Sequence, residues 1–342
     1  MSLKVKKVHV TGVAGLLGSH VATRFLDRGI EVTGSDDLSG GYRDNVDRRC
    51  KFFKVNCHDL HTMQVILNGD TDVVVHAACW PSEGFSVWSP ASISESVYGM
   101  TMSVATAAIT RGVKRFVYMS SMSRYGSSVP PFTEDLKPAP VDPYGYAKTH
   151  AEEQLKLLSA VHGMDVVVLI PHNIIGPHQR YTDPTRNAAS IMINMLLSGR
   201  RPIIYGDGTN TRVFSFVKDA VDCVERASHE DAAVGRAINI GPDHKSGEVI
   251  TINELCRRIQ RIVGTDVEPI HVDERPQEVK HAYCSSDLAR EILGYETTVS
   301  LDDGLRQMAE WIRERGPMPF EYHLPLEIVT DKTPKTWTQR MF

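Results

Sequence analysis

The sequence predicts an α/β protein: a doubly wound parallel sheet followed by a smaller α/β substrate-binding domain. Three observations predict it. Short apolar or β-branched runs alternate with helical patterns through the first 170 residues. The run TDVVVHAA at 71–78 is apolar almost throughout, as a strand covered on both faces must be. Three glycines, Gly12, Gly15 and Gly18, stand three apart where the first strand meets the first helix, in VHVTGVAGLLG at 8–18.

Glycine permits a sharp turn after Thr11 and lets a pyrophosphate come close to the backbone. The helix start adds unpaired N–H groups and a positive dipole end. The spacing is G-x-x-G-x-x-G rather than the commoner G-x-G-x-x-G. The first helix runs to about Arg28, where Gly29 stops it. EVTGS at 31–35 is the second strand and delivers Asp36 to its carboxyl end. A carboxylate there accepts hydrogen bonds from an adenosine ribose and repels a 2′-phosphate, which favours NAD; Arg43, close by in sequence, keeps NADP open. Strands three to six fall at 50–56, 71–78, 115–121 and 164–170, with a long helix at 90–111 and an amphipathic one at 144–162. Beyond Ile170 short strands and helices mix with proline and glycine. Residues 213–227 read as a strand feeding a helix and 236–241 as a strand, while 251–263, 286–293 and 301–314 read as helices. The tail from Pro317 reads as irregular. The expected division is a cofactor domain at 1–172 plus about 212–242, and a substrate domain at 173–211 and 243–342.

The 342 residues include 38 basic and 42 acidic side chains, a net charge of −4 without any block of one sign. Neither nucleic acid nor a membrane is therefore an expected partner. Lys4, Lys6 and Lys7 precede an apolar stretch, but His9, Thr11 and the glycines break it, so it does not read as a signal peptide, and no run is long enough to span a bilayer. Cys50, Cys57, Cys79, Cys223, Cys256 and Cys284 are scattered without a C-x-x-C pair, which fits reduced thiols in a cytoplasm. Cys57, His58 and His61 are the nearest approach to a metal cluster and read as local residues; no metal is expected.

Tyr144 and Lys148 lie four apart on one helix and so share a face. A phenol, with a reference pKa of about 10, is a useful acid/base only when that value falls. An ammonium one turn away and a positive nicotinamide are expected to lower it. Ser120 and Ser121 end the fifth strand, and in a doubly wound sheet such strand ends face the ligand crevice. The glycine turn, the fourth and fifth strand ends and the Tyr144 helix therefore converge.

With those motifs in view, the chain resembles the extended short-chain dehydrogenase/reductases, closest to the nucleotide-sugar epimerases and dehydratases. The resemblance rests on TGVAGLLGSH, Asp36, VVVHAA, SSMSRYG, PYGYAK, PHNIIGP, IYGDGTNTR and RPQEV in this order, over roughly residues 5–315. It implies a Rossmann domain. Gly12, Gly15 and Gly18, with the N–H groups of Leu16 and Leu17, would hold the NAD pyrophosphate, and Asp36 the adenosine ribose. Asn56 and Cys57 stand where the family has Asp-Ile beside the adenine, Ala77 and Ala78 would line the cofactor wall, and Ser96 replaces a usual asparagine. Lys148 would hold the nicotinamide ribose, Tyr144 would be the acid/base, and Ser121 the hydroxyl beside the sugar 4-OH. Asn173 and Asn187 would meet the diphosphate. Arg212 and Arg275 would clamp it, Glu278 would take the nucleoside ribose, Tyr205 would lie near the base, and Ala282 would face the sugar. The resemblance also implies a homodimer in which helices 91–111 and 144–162 pair as a four-helix bundle.

The residues after Ser121 choose the reaction. A 4,6-dehydratase of this family carries Asp-Glu there and a UDP-glucuronate decarboxylase a glutamate at the second place; this chain has Met122 and Ser123. The S-x-S arrangement resembles the 4-epimerases, so the expected activity is an NAD-dependent UDP-sugar 4-epimerase passing through a 4-keto sugar. UDP-glucose, UDP-N-acetylglucosamine and UDP-glucuronate are the expected substrates. A dehydratase or decarboxylase, a reductase with exchangeable cofactor, and a non-catalytic NAD-binding regulator remain as alternatives. For a glucuronate, Arg186 is the nameable cation, with a solvent-facing position as the other reading of it.

Overall fold

The computed structural model describes residues 3–342. Seven parallel strands form one sheet. β1 (Lys7–Thr11), β2 (Glu31–Asp36), β3 (Lys51–Lys54), β4 (Val73–His76), β5 (Arg115–Met119) and β6 (Asp165–Pro171) fall on the runs read from the sequence, with β1, β2 and β6 each reaching one residue past them. Three short strands follow, β7 (Ile174–Ile175), β8 (Ile203–Tyr205) and β9 (Thr211–Arg212), then β10 (Ser215–Phe216) and β11 (Ala237–Ile240). The sheet order is β3-β2-β1-β4-β5-β6-β11. The order reverses between β1 and β4, so their carboxyl ends open a crevice at a switch point.

The helices cover both faces. α1 (Leu16–Asp27) lies on one face, and α2 (Leu60–Leu67) on the other; α3 (Glu83–Ser86), α4 (Pro90–Ser94), α5 (Met100–Thr110) and α6 (Pro143–His162) follow, then α7 (Ala188–Leu197) and α8 (Val217–His229). Val8, Val10 and the β4 valines are fully buried because helices screen both sides. Two apolar clusters result. One joins β1 to α1 and α8, and the other joins β5 and β6 to α2, α5 and α6. A third gathers α7 with α9 (Ile252–Val263) and α11 (Leu301–Arg315). α10 (Asp287–Leu293) sends Ala289 and Leu293 into the first sheet cluster.

Two elements differ from the sequence reading. The helix expected at 90–111 is interrupted by a π-helical turn at Glu95–Gly99, which widens the hydrogen-bonded ring. Within it the Ser96 hydroxyl accepts the Trp80 backbone N–H at 2.8 Å. The tail is irregular but not loose: Leu324, Trp337 and Phe342 are buried in a cluster with Phe85, Trp88 and Ile203. α6 matches its period and has explicit ends. Asp142 caps it through the Gly145 N–H at 2.9 Å, Pro143 begins it, and Gly163 at φ +74° ends it. Among the described residues, no helix is long and apolar enough to cross a membrane.

Candidate active site

A cleft of about 420 Å³ opens at the carboxyl ends of β1 and β4. Its floor is the glycine turn. Gly12 sits at φ +71°, and a Cβ there would stand 2.9 Å from the Ala78 backbone. A Cβ on Gly18 would lie 2.1 Å from the Gly12 carbonyl oxygen. Backbone and helix are thus in contact with no room for a methyl group. Gly15 caps α1 without any side-chain hydrogen bond, and Leu16, Leu17 and Gly18 line the cleft. Their N–H groups have no partner within the helix, as first-turn groups never do. Such a cradle fits a pyrophosphate.

Asp36 ends β2 at the cleft. Its carboxylate accepts the Leu38 N–H at 2.7 Å and the Ala14 N–H at 3.0 Å, while burial pushes its pKa up. The loop after it is pinned from across the cleft. Arg180 bonds the Ser39 carbonyl, the Trp80 indole donates to the Ser39 hydroxyl at 3.2 Å, and Tyr42 meets Thr182 at 3.2 Å. Arg43 stacks its guanidinium 4.5 Å from the Phe52 ring. Arg186 does not face open solvent: its side chain is 9% exposed, its Nε is 2.8 Å from Asp183, and it points at Gly40.

The catalytic-type residues meet at the other end. Ser120, Ser121, Tyr144 and Lys148 all line the cleft. The Ser121 hydroxyl donates to Ser123 at 3.0 Å and, close to the Tyr144 phenol, acts to lower its pKa. Ser123 itself is buried behind the lining. Lys148 donates to the Met119 carbonyl at 2.7 Å, and its Nζ stands 5.7 Å from the Tyr144 ring centroid. Lys148 and a bound nicotinamide, expected to lower the Tyr144 pKa, act against the burial of the phenol. Burial dominates and pushes the phenol well up, with the Ser121 hydroxyl opposing it.

On the facing wall, Arg275 grips Glu278 through two bonds of 2.9 and 3.0 Å and lies 4.3 Å from the Tyr205 ring centroid. Burial opposes both charges, yet each partner favours the other, so Arg275 is held up and Glu278 down. Arg212 donates to the Thr211 and Lys280 carbonyls and stands 3.8 Å from Glu278. Asn173, at φ +44°, donates to the Val213 carbonyl at 2.9 Å, and Asn187 caps α7 through the Ala189 N–H at 2.9 Å. All five line the cleft.

Four of the sequence-derived residues besides Ser123 stand outside that lining. Asn56 is exposed and accepts the His58 N–H at 2.9 Å, and Ser96 is spent on Trp80. The Tyr205 hydroxyl donates to Thr336 at 2.7 Å, with burial pushing its pKa up to about 12. Ala282 pairs with Arg212 in the small sheet and is buried. Cys57, Ala77 and Ala78 do line the cleft; the Cys57 thiol lies 3.1 Å from the Ser35 hydroxyl, and burial pushes it up to about 12. Cleft residues that sequence reasoning missed include Cys79, Trp80, Glu83, Asp142, Gln179 and Arg180. Only Asp142 carried a signal, as an aspartate ahead of Pro143 at a helix start. Among the described residues, no group of three or more His, Cys, Asp or Glu side chains could hold a metal ion.

Known proteins resemble this chain in sequence and fold over most of its length. Residues 8–241 match the sequence profile of the NAD dependent epimerase/dehydratase family. A UDP-glucose 4-epimerase of Mycolicibacterium smegmatis is 31% identical over 317 residues, covering 90% of this chain and 98% of that one. The structure of a UDP-glucose 4-epimerase from Thermotoga maritima with UDP-glucose superposes with a TM-score of 0.83 at 30% identity, over 90% of this chain and 99% of that one. A UDP-glucuronic acid 4-epimerase from Bacillus cereus, solved with UDP-glucuronic acid and NAD, gives 0.82 at 27% identity over the same shares.

Proposed function

This chain belongs to the NAD-dependent epimerase/dehydratase family, and from that premise we propose that it is a UDP-sugar 4-epimerase acting through a transient 4-keto sugar. The observation that carries the reading is the meeting of Ser121, Tyr144 and Lys148 with the glycine turn and the Arg275–Glu278 pair in one cleft. The turn without space for a Cβ and the Asp36 carboxylate fit NAD, which when bound accepts the hydride of the sugar C4 and returns it.

Tyr144 takes the proton of the sugar 4-OH and later gives it back. Ser121, which lines the cleft with the phenol, orients the 4-OH toward it. Lys148, anchored on Met119, supplies a fixed positive charge to the cofactor ribose and the phenolate. Arg212 and Arg275 meet the diphosphate with planar, paired donors. Met122 and Ser123 follow Ser121 and offer no proton for C5 or C6, so return of hydride to the other face of the keto sugar is the simplest completion. A 4,6-dehydratase is the second reading, favoured by the Glu83 carboxylate in the same wall.

Incubation with UDP-glucose, UDP-N-acetylglucosamine and UDP-glucuronate should yield the C4 epimer of at least one, with no net NADH. A stable keto or deoxy product, with solvent deuterium entering C5, overturns this in favour of the dehydratase.

The same reading keeps the two-domain division and a homodimer. Support for the dimer is the exposed apolar side of α6, where Tyr146, Leu157 and Val161 are 50, 56 and 66% exposed. Sedimentation as a monomer at micromolar concentration would remove that part. A cytoplasmic location is supported by six cysteines that are all free thiols.

A further inference from the structure

Behind the reacting end of the cleft lies a buried carboxylate that the scheme above does not use. Glu152 stands four residues beyond Lys148, as Lys148 stands four beyond Tyr144, so all three share one face of α6. Tyr144 and Lys148 line the cleft; Glu152 sits behind that lining and is 8% exposed. Both of its oxygens are occupied. The Ser120 hydroxyl donates to Oε1, and Nη1 of the buried Arg124 stands 2.9 Å from Oε2. Burial pushes the Glu152 pKa up, while Arg124, the Ser120 hydroxyl and Lys148 favour its charged form.

The two partners of Glu152 bracket Ser121. Ser120 precedes it just past β5, where the Ser120 N–H donates to the Leu169 carbonyl of β6 at 2.8 Å. Arg124 closes the single 3₁₀ turn that Ser121 caps. Its N–H donates to the Ser121 carbonyl at 3.2 Å, and the Ser123 N–H donates to the Ser121 hydroxyl at 3.2 Å. One residue before Ser120, the Met119 carbonyl accepts from Lys148 at 2.7 Å. The helix that carries Tyr144 therefore holds the segment that carries Ser121 at Met119, Ser120 and Arg124. Glu152 supplies the last two of these holds, one on each side of Ser121 in the chain.

We infer that Glu152 is a positioning residue: by holding Ser120 and Arg124 at once, it fixes where the Ser121 hydroxyl stands relative to Tyr144. This rests on the reading of Ser121 and Tyr144 as the groups that handle the sugar 4-OH. A carboxylate suits the task because both of its oxygens accept and both of its neighbours donate. A glutamine amide could still accept from Ser120, but it would turn its NH2 toward the guanidinium and lose the second hold.

The test is a double-mutant cycle on the NAD-loaded protein, with whichever of the three UDP-sugars it turns over. Glu152→Gln should lower kcat roughly ten- to a hundredfold, the scale of a misplaced reacting group. KM and the calorimetric affinity for UDP should stay within about twofold of native. In a Ser121→Ala background the same substitution should cost less than about twofold, because the group it positions is gone. Ser120→Ala keeps the ion pair and removes one hold. It should repeat the pattern with a smaller loss, and it carries the test should Glu152→Gln fail to fold. Undiminished kcat, equal losses with and without the Ser121 hydroxyl, or losses confined to KM or UDP affinity would each overturn the assignment. The product of the native protein decides the epimerase reading separately. A keto or deoxy product sinks that reading and spares Glu152, whose cycle is then read in the rate of NADH appearance. An epimer formed with additive losses does the reverse, and a native protein that turns over none of the three sugars overturns both.

Discussion

The two walls of the cleft are made by different means. The cofactor side is a backbone device: strand ends in register, a turn with no space for a side chain, and free N–H groups at a helix start. The nucleotide side is a side-chain device. Its strands are two or three residues long, and its shape depends on Arg275, Arg212 and Glu278 holding one another. A backbone device tolerates replacement of most side chains but no change at its glycines. A side-chain device fails when one partner is lost, because the other is left half-buried and uncompensated.

The sharpest way to probe this contrast is at the seam, where Tyr144 belongs to neither device. Tyr144→Phe should lower turnover by roughly 10²–10⁴-fold, the usual size of a lost acid/base, while leaving NAD and UDP affinities unchanged. Single-turnover kinetics with calorimetry checks it; a matching fall in NAD affinity would mean that the phenol is part of the cofactor wall.

Acid should act on the cofactor side. His9 and His76 lie fully buried in β1 and β4, bonded to Thr33 and Ser35 and to Thr11 and Thr101, and burial lowers each to about 3. Unfolded, each titrates at about 6.5. Below that value the unfolded chain takes up protons that the fold refuses, so stability falls as the pH drops and continues to fall until about 3. By pH 5 the loss should be about 2 kcal/mol for each histidine. Urea unfolding at pH 7 and pH 5 measures it, and His9→Gln should remove about 2 kcal/mol of the difference.

The smallest effect belongs to the nucleotide side. Thr336→Val removes the acceptor of the Tyr205 hydroxyl and should cost about 1 kcal/mol, read as a shift in the urea midpoint, with NAD affinity untouched. A shift in NAD affinity would show that the two walls are mechanically joined.

The same division explains what could be read from the chain. The turn at Gly12 and the strands around Val8 and Val74 were legible because period and glycine placement are local properties. Tyr144 and Lys148 were legible through helical spacing. Glu83 and the bonding of Arg186 were not, because a charged residue in a loop has no pattern until the fold supplies its neighbours. Ser96 shows the converse: its place in the sequence suggests a cofactor contact, but the π turn gives its hydroxyl to Trp80. Trp337 and Phe342 lack any period and read as irregular, although they close an apolar cluster over Phe85.

Glu327 binds the first N–H groups of α4, at Ala91 and Ser92, and so tethers the tail to the helix that leads into Ser96 and Trp80. The adjoining Ile328 and Val329 are exposed. The tail, held also by the Glu327 and Ile328 N–H groups on the Trp88 carbonyl, therefore braces the segment beside the cleft from outside the sheet.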